Sequence, residues 1–160
     1  MDRASLEFDE VDADMRNIIE EARVILPGLQ ALFGFQTVAV FSERFEDLAS
    51  YAKACHVGGL ALVIVAVAMV MTPAIYYRAC RGHANVPMVR VSATMIRGAL
   101  VPLACGLALD VFTVFHAVTS SLATSITVAL AIFALLIGLW FVLPARARQR
   151  SASAGGQAKH

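Results

Sequence analysis

Long apolar runs alternate with short polar stretches along most of this chain. Four runs stand out, at residues 24–41, 57–77, 98–119 and 122–143. Each is close to the roughly 20 residues that a helix needs to cross a bilayer core of about 30 Å. Backbone N–H and C=O groups in hydrocarbon must be paired within their own segment, so helices are expected. The pattern predicts an all-α, four-helix transmembrane bundle over residues 24–144.

Two other architectures fit this pattern less well. The runs lack the period-two alternation of membrane β-strands. A soluble helix bundle is the other alternative, but a globule of 160 residues is too small to hide four such runs.

The two ends of the chain follow different patterns. Within residues 1–23, apolar side chains recur at three- and four-residue spacing, at Phe8, Val11, Met15, Ile18 and Ala22. This spacing predicts one apolar stripe of an amphipathic helix. Residues 145–160 are small, polar and basic, which predicts a disordered basic tail.

Composition and charge agree with a membrane protein and fix its orientation. Hydrophobic residues make up 59% of the chain and the mean hydropathy is +0.71. Of the 13 Lys and Arg residues, 11 lie before the first run, between the second and third runs, or in the tail. This asymmetry predicts that both termini are cytoplasmic. The net charge of +1 gives no general attraction for nucleic acid, and none is expected as a partner.

Acidic residues are concentrated at the N-terminus. Eight of the 12 acids precede residue 22, whereas the second loop and the tail are basic and contain no acid. We expect the helix over residues 5–22 to dock on these basic segments, in the same subunit or in a neighbour. This helix is then the expected surface for self-association or for a protein partner. A free, solvated helix is the alternative, because surface charge pairs are weak.

Asp110 is the only acid after residue 47, and it lies within an apolar run. A charged Asp at the centre of a membrane helix costs roughly 2.5 to 3.5 kcal/mol, so it should face protein or water. As the thirteenth residue of a 22-residue run, it is expected near the midplane. Gln36 is expected at the same depth, twelve residues into its own run, with Gln30 as a second donor on another side of that helix. Thr113 shares the face of Asp110, and His116 lies nearer the outer end.

These five residues form a candidate intramembrane polar site with two open interpretations. Asp110 hydrogen-bonded to a glutamine would link helices structurally, whereas an acid that gains and loses a proton would couple transport. No nucleophile–base pair and no metal-ligand spacing is recognisable. The three cysteines are interpreted as thiols in helix packing. The sequence therefore predicts no enzyme, no cofactor and no metal.

A motif in the first run resembles a known family. It consists of Glu21, Arg23, Pro27, Gly28, Gln30, Phe33, Gly34, Phe35 and Gln36, followed by Phe41, Arg44 and Phe45 and later by "MTPAIYYR". Over most of residues 18–120 the chain resembles a bacterial family of small uncharacterised inner-membrane proteins, a domain of unknown function. The resemblance implies four spans in a bacterial cytoplasmic membrane, and it implies no activity.

The functional expectation is therefore a membrane protein that acts by assembly, as a homo-oligomer or as a subunit of a larger complex. The alternative is a small proton- or cation-coupled transporter or channel. In that alternative Asp110 is the protonatable residue, and Gln30, Gln36 and Thr113 line the route.

Overall fold

A computed structural model describes the backbone of residues 3–147 and 149 and the side chains of residues 10–147 and 149. The helices are α1 (Arg3–Ala39), α2 (Glu43–Glu46), α3 (Ser50–Ala79), α4 (Val86–Thr119) and α5 (Leu122–Ile137). A π-helical turn, Gly138–Val142, follows α5, and the helix continues to Ala147. The described residues contain no strand, so the predicted all-α class is confirmed. Most of the predicted tail lies outside the described residues.

Three helices are long and apolar enough to cross a membrane, namely Ser50–Ala79, Val86–Thr119 and Leu122–Ala147. They contain the second, third and fourth apolar runs of the sequence, as in a multi-pass membrane protein. Within the described chain, α1 does not meet the same criterion. Two glutamines and three glycine or proline residues lower the mean hydropathy of its apolar run, and α1 ends at Ala39, two residues before that run ends. The four-span prediction is thus shown for three helices.

Polar side chains at the ends of α4 and α5 explain where these helices begin. Asn85 caps α4, since its side-chain oxygen accepts a 2.9 Å hydrogen bond from the backbone N–H of Met88, and Pro87 occupies the first turn. Ser121 caps α5 in the same way through the N–H of Thr124. As a result α4 starts twelve residues before the apolar run that it contains.

The helices form a three-helix core with one peripheral member. α3 and α4 share the most extensive interface, α1 packs against both of them, and α5 packs chiefly against α4. The core consists of small and branched side chains from α1, α3 and α4: Ala22, Leu29, Val63, Ala66, Val70, Ile96, Ala99 and Leu103. Ser125 is the only buried residue of α5. One side of α5 is half-buried against α4, and the outward side is apolar and exposed.

The first half of α1 docks on the connection between α3 and α4. Met15 and Met88 are both 0% exposed and pack together with Ala84. The Asp12 carboxylate accepts a 3.0 Å hydrogen bond from the backbone N–H of Ala84. Residues 11, 18 and 22 of the predicted stripe are also buried or half-buried, while the Phe8 side chain lies outside the described residues. No described acid–base ion pair joins α1 to this connection, so apolar contact and one hydrogen bond hold it.

Candidate polar site within the bundle

Asp110 of α4 faces the interior of the three-helix core and is 9% exposed. The side-chain amide Nε2 of Gln36, on α1, donates a hydrogen bond to its Oδ2. The imidazole Nδ1 of His56, on α3, lies 3.3 Å from its Oδ1. Gln36 and His56 are each 4% exposed. These three residues, one from each core helix, are called the polar cluster below.

A further contact closes the polar cluster. His56 Nε2 lies 2.9 Å from the backbone carbonyl oxygen of Gln36. A carbonyl oxygen can only accept a hydrogen bond, so His56 Nε2 carries the ring proton and is the hydrogen-bond donor. With the ring proton on Nε2, a neutral His56 has only a lone pair at Nδ1. The contact between Nδ1 and Asp110 Oδ1 is therefore attractive only when a proton lies on Nδ1 or on Oδ1. The pair is close enough for an ion pair but is not aligned as a hydrogen bond, and Oδ1 has no other described partner.

Two glycines make room for the Asp110 carboxylate. A Cβ on Gly59 would lie 2.9 Å from Asp110 Oδ1 and 3.1 Å from the carbonyl oxygen of Gly106. A Cβ on Gly106 would lie 3.0 Å from the carbonyl oxygen of Gly59. α3 and α4 therefore cross at this pair of glycines, because small residues allow close approach of membrane helices.

Aromatic side chains surround the polar cluster on one side. The Phe45 ring, which belongs to α2, meets the His56 ring edge-on with centroids 5.2 Å apart. The Tyr51 hydroxyl lies 2.8 Å from His116 Nε2. The Phe112 and His116 rings stack at 5.8 Å. Through Phe45, the segment that connects α1 to α3 thus contacts the polar cluster directly.

The polar cluster lies nearer one end of the helices than the other. Gln36 is three residues before the end of α1, and His56 is six residues after the start of α3. Asp110 is nine residues before the end of α4, whose other end extends to Val86. The cluster is therefore closer to the end of the bundle that carries α2, and the location of Asp110 near the bilayer midplane stays a prediction.

The structure brings together some of the predicted site residues but not all of them. Gln36 contacts Asp110 directly. Thr113 is buried one turn away, but its hydroxyl donates to the Leu109 carbonyl oxygen at 2.9 Å instead of to Asp110. His116 is a further turn away and pairs with Tyr51. Gln30 is exposed and does not join the site, which corrects its inclusion among the candidates.

Sequence reasoning did not include His56 in the site. It precedes the second apolar run by one residue, a position that is typical of interfacial histidines. Because α3 begins at Ser50, His56 lies inside the helix instead. The signal that could have identified it is spacing, since His56 and Gly59 are one turn apart and Gly59 marks the close helix contact.

The chemistry available at the polar cluster is proton uptake and hydrogen bonding. Asp110 and His56 can both gain and lose protons, while Gln36 holds the carboxylate through a neutral amide. Within the described part of the chain, no group of three His, Cys, Asp or Glu side chains is placed to hold a metal ion. Cys55, Cys80 and Cys105 are half-buried free thiols.

One comparison with known proteins gives a match. A family described as a family of unknown function (DUF6328) matches residues 7–144, a range that includes the whole polar cluster. This match confirms the predicted resemblance to an uncharacterised family. No curated protein and no solved structure matches the chain.

Proposed function

Because the chain belongs to the DUF6328 family of unknown function, we propose its role from its own structure. It is a non-enzymatic integral protein of the bacterial cytoplasmic membrane, and it acts by assembly as a homo-oligomer or a complex subunit. It has four spans with both termini in the cytoplasm. Its surroundings are the lipid bilayer, and its function requires no cofactor and no nucleic acid.

The path of α1 supports a fourth span. Met15 packs against the connection at one end of α3 and α4, and Gln36 contacts Asp110 toward the other end. The 21 intervening steps cover about 32 Å at 1.5 Å per residue, so α1 runs beside both other core helices over a length comparable with the thickness of a hydrocarbon core, about 30 Å. The distribution of Lys and Arg supports a cytoplasmic location for the Met15 end.

Cysteine labelling tests this threading. In chains that keep one cysteine at a time, a membrane-impermeant maleimide should reach Cys80 and Asn17→Cys only from the cytoplasmic face. Ser120→Cys should react only from the opposite face. If α1 did not cross the membrane, Asn17→Cys would instead react from the same face as Ser120→Cys, and the four-span proposal would be wrong.

The outer face of α5 is the observation that carries the assembly role. α5 contributes no residue to the polar cluster, and the outward side of this helix and its continuation exposes large apolar side chains such as Leu130, Leu135 and Leu143. A groove of about 650 Å³ runs along it between Ala134 and Ala147, beside the π-helical turn. A Cβ on Gly138 in this groove would meet no atom within 4 Å. Small residues on such a face let a second membrane helix approach closely.

Filling this groove tests the assembly role without disturbing the chain itself. Gly138→Leu places a side chain in open space, and Gly34→Leu on α1 is a matched control because Gly34 is equally open. Photobleaching of the labelled full chain in dilute vesicles should count several copies per spot for wild type and Gly34→Leu. Gly138→Leu should give single copies.

The complex-subunit form of the proposal has its own outcome. If the wild type were a single copy, a stoichiometric partner should purify with it from native membranes and be lost in Gly138→Leu. A single copy without such a partner would overturn the assembly role.

Proton-coupled transport is a second candidate, and one specific observation favours it. The contact between His56 Nδ1 and Asp110 Oδ1 holds together two titratable groups in the interior of the bundle. Asp110→Asn keeps the shape of the side chain and removes its titration. Proton flux into vesicles with a trapped pH dye, present in wild type and lost in Asp110→Asn, would establish transport. Absence of flux in both proteins would eliminate it.

A further inference from the structure

A second cavity lies between α1 and α3, at the end of the bundle opposite the polar cluster. Its volume is about 690 Å³. Three arginines line it: Arg16 and Arg23 from α1 and Arg78 from the last turn of α3. Leu26, Val70 and Ala74 belong to its apolar lining. This cavity is called the basic groove below.

The basic groove is positive although the segment that forms it is acidic. Arg16 and Arg23 are seven residues apart, so they project from nearly the same side of α1. Glu10, Asp14 and Glu21 lie about 120 to 160° around the helix from Arg16, at 100° per residue. Among the residues whose side chains are described, Glu20 is the only acid in the lining of the groove. Arg16 and Arg23 of α1 therefore line the groove beside α3, while Glu10, Asp14 and Glu21 lie on the other side of the helix.

The arginines of the basic groove have no acidic partner in the part of the chain whose side chains are described. The one ion pair found there joins His56 to Asp110. Arg16, Arg23 and Arg78 are exposed at the edge of the groove. A guanidinium group donates several hydrogen bonds in a plane that matches phosphate oxygens, so this edge is complementary to a phosphate.

The apolar lining identifies the rest of the ligand. Val70 is buried at 2% exposure, while Met71 and Ile75 are 43% and 62% exposed on the same side of α3. An acyl chain would cover this surface, whereas a soluble phosphate would leave it bare. We propose that the basic groove binds one anionic phospholipid of the inner leaflet, with its phosphate at the arginines and its acyl chain against α3. The proposal rests on the membrane arrangement proposed above and not on the assembly role.

Native mass spectrometry of the full chain tests the proposal. The protein is titrated with phosphatidylglycerol and with phosphatidylcholine of the same acyl chains. The variant Arg16→Gln/Arg23→Gln removes two charges of the groove. Arg90→Gln/Arg97→Gln is the matched control, because these arginines are also exposed and seven residues apart, but they lie on α4. Circular dichroism confirms that each variant is folded.

We expect one phosphatidylglycerol to bind each wild-type and control chain more tightly than phosphatidylcholine. An arginine near an anionic surface contributes about fivefold in affinity, so the double variant should bind roughly 25-fold more weakly. Ala74→Phe retains every charge but fills the groove, and it should weaken binding as well. A photoreactive acyl chain should crosslink to residues 70–75.

Four results would overturn the proposal. Equal binding of both lipids would mean that the arginines do not select the headgroup. An equal loss in the control variant would mean that general surface charge is responsible. Displacement of the lipid by inorganic phosphate, with unchanged binding in Ala74→Phe, would identify a soluble phosphate ligand. No retained lipid at all would leave the groove without this function, and the copy number of the protein would then still test assembly separately.

Discussion

The crossing of α3 and α4 allows a sharp test, because two adjacent glycines differ in what surrounds them. A Cβ on Gly59 would lie 2.9 Å from Asp110 Oδ1, 3.3 Å from Asp110 Cγ and 3.1 Å from the Gly106 carbonyl oxygen. A Cβ on Gly58 would meet only Leu109 Cδ1, at an ordinary 3.6 Å. Gly59→Ala should therefore force apart groups that Gly58→Ala leaves in place.

The magnitude follows from two contributions. Replacing a helical glycine by alanine gains about 1 kcal/mol of helix propensity, and both variants share this gain. Overpacking of a tight contact costs about 1 to 3 kcal/mol, and only Gly59→Ala pays it. The free energy of unfolding of Gly59→Ala should thus be about 1 to 3 kcal/mol below that of Gly58→Ala. Neither the Gly106 carbonyl nor the carboxylate, bonded to Gln36, is free to move away.

Reversible unfolding in mixed micelles with increasing dodecyl sulfate, followed by far-ultraviolet circular dichroism, measures this difference. Two of the three atoms that the Gly59 Cβ would meet belong to Asp110. The cost of Gly59→Ala should therefore be smaller in an Asp110→Ala background, and the double-mutant cycle gives the coupling. Equal stability of Gly58→Ala and Gly59→Ala would refute the close crossing, and with it the enclosure of the carboxylate by the helix backbone.

Two further predictions concern the partners of α1. Gln36→Leu leaves the Asp110 carboxylate without its amide donor and should lower the free energy of unfolding by about 1 to 3 kcal/mol. Gln30→Leu, at an exposed position, should change it by less than about 0.5 kcal/mol in the same unfolding assay. Similar losses in both would contradict the placement of Gln36. Met15→Ala, at a 0% exposed position, should cost about 2 to 5 kcal/mol of local stability and speed amide hydrogen exchange at residues 84–90. Met71→Ala, at a position that is 43% exposed, should leave the exchange of these residues unchanged. Unchanged exchange in Met15→Ala would exclude the docked arrangement.

Helix identity could be predicted from the sequence more reliably than helix length. The runs at residues 57–77, 98–119 and 122–143 lie within helices because their apolar length and backbone pairing leave no other choice in a membrane. Their ends are set by local hydrogen bonds that hydropathy does not record. Asn85 begins α4 well before its apolar run, and α1 continues from its N-terminal half into the first run without a break.

The residues of the polar cluster also differ in whether the sequence could predict them. Contact between Gln36 and Asp110 could be expected from equal depth in two runs that start on the same side. The contact of His56 with Asp110 could not be expected. Its place inside α3 depends on the seven helical residues, 50–56, that precede the apolar run. Gln30 was included for its chemistry alone, and the rotation of α1 turns it outward.

The order of the polar cluster along the chain has a consequence for biogenesis. A nascent chain emerges from its N-terminus, so Gln36 and then His56 are made before Asp110, which follows Gln36 by 74 residues. The residue that is most costly to place in lipid is therefore the last of the three to leave the ribosome. By the time α4 packs against α1 and α3, the amide and the imidazole that contact its carboxylate have therefore already been synthesised.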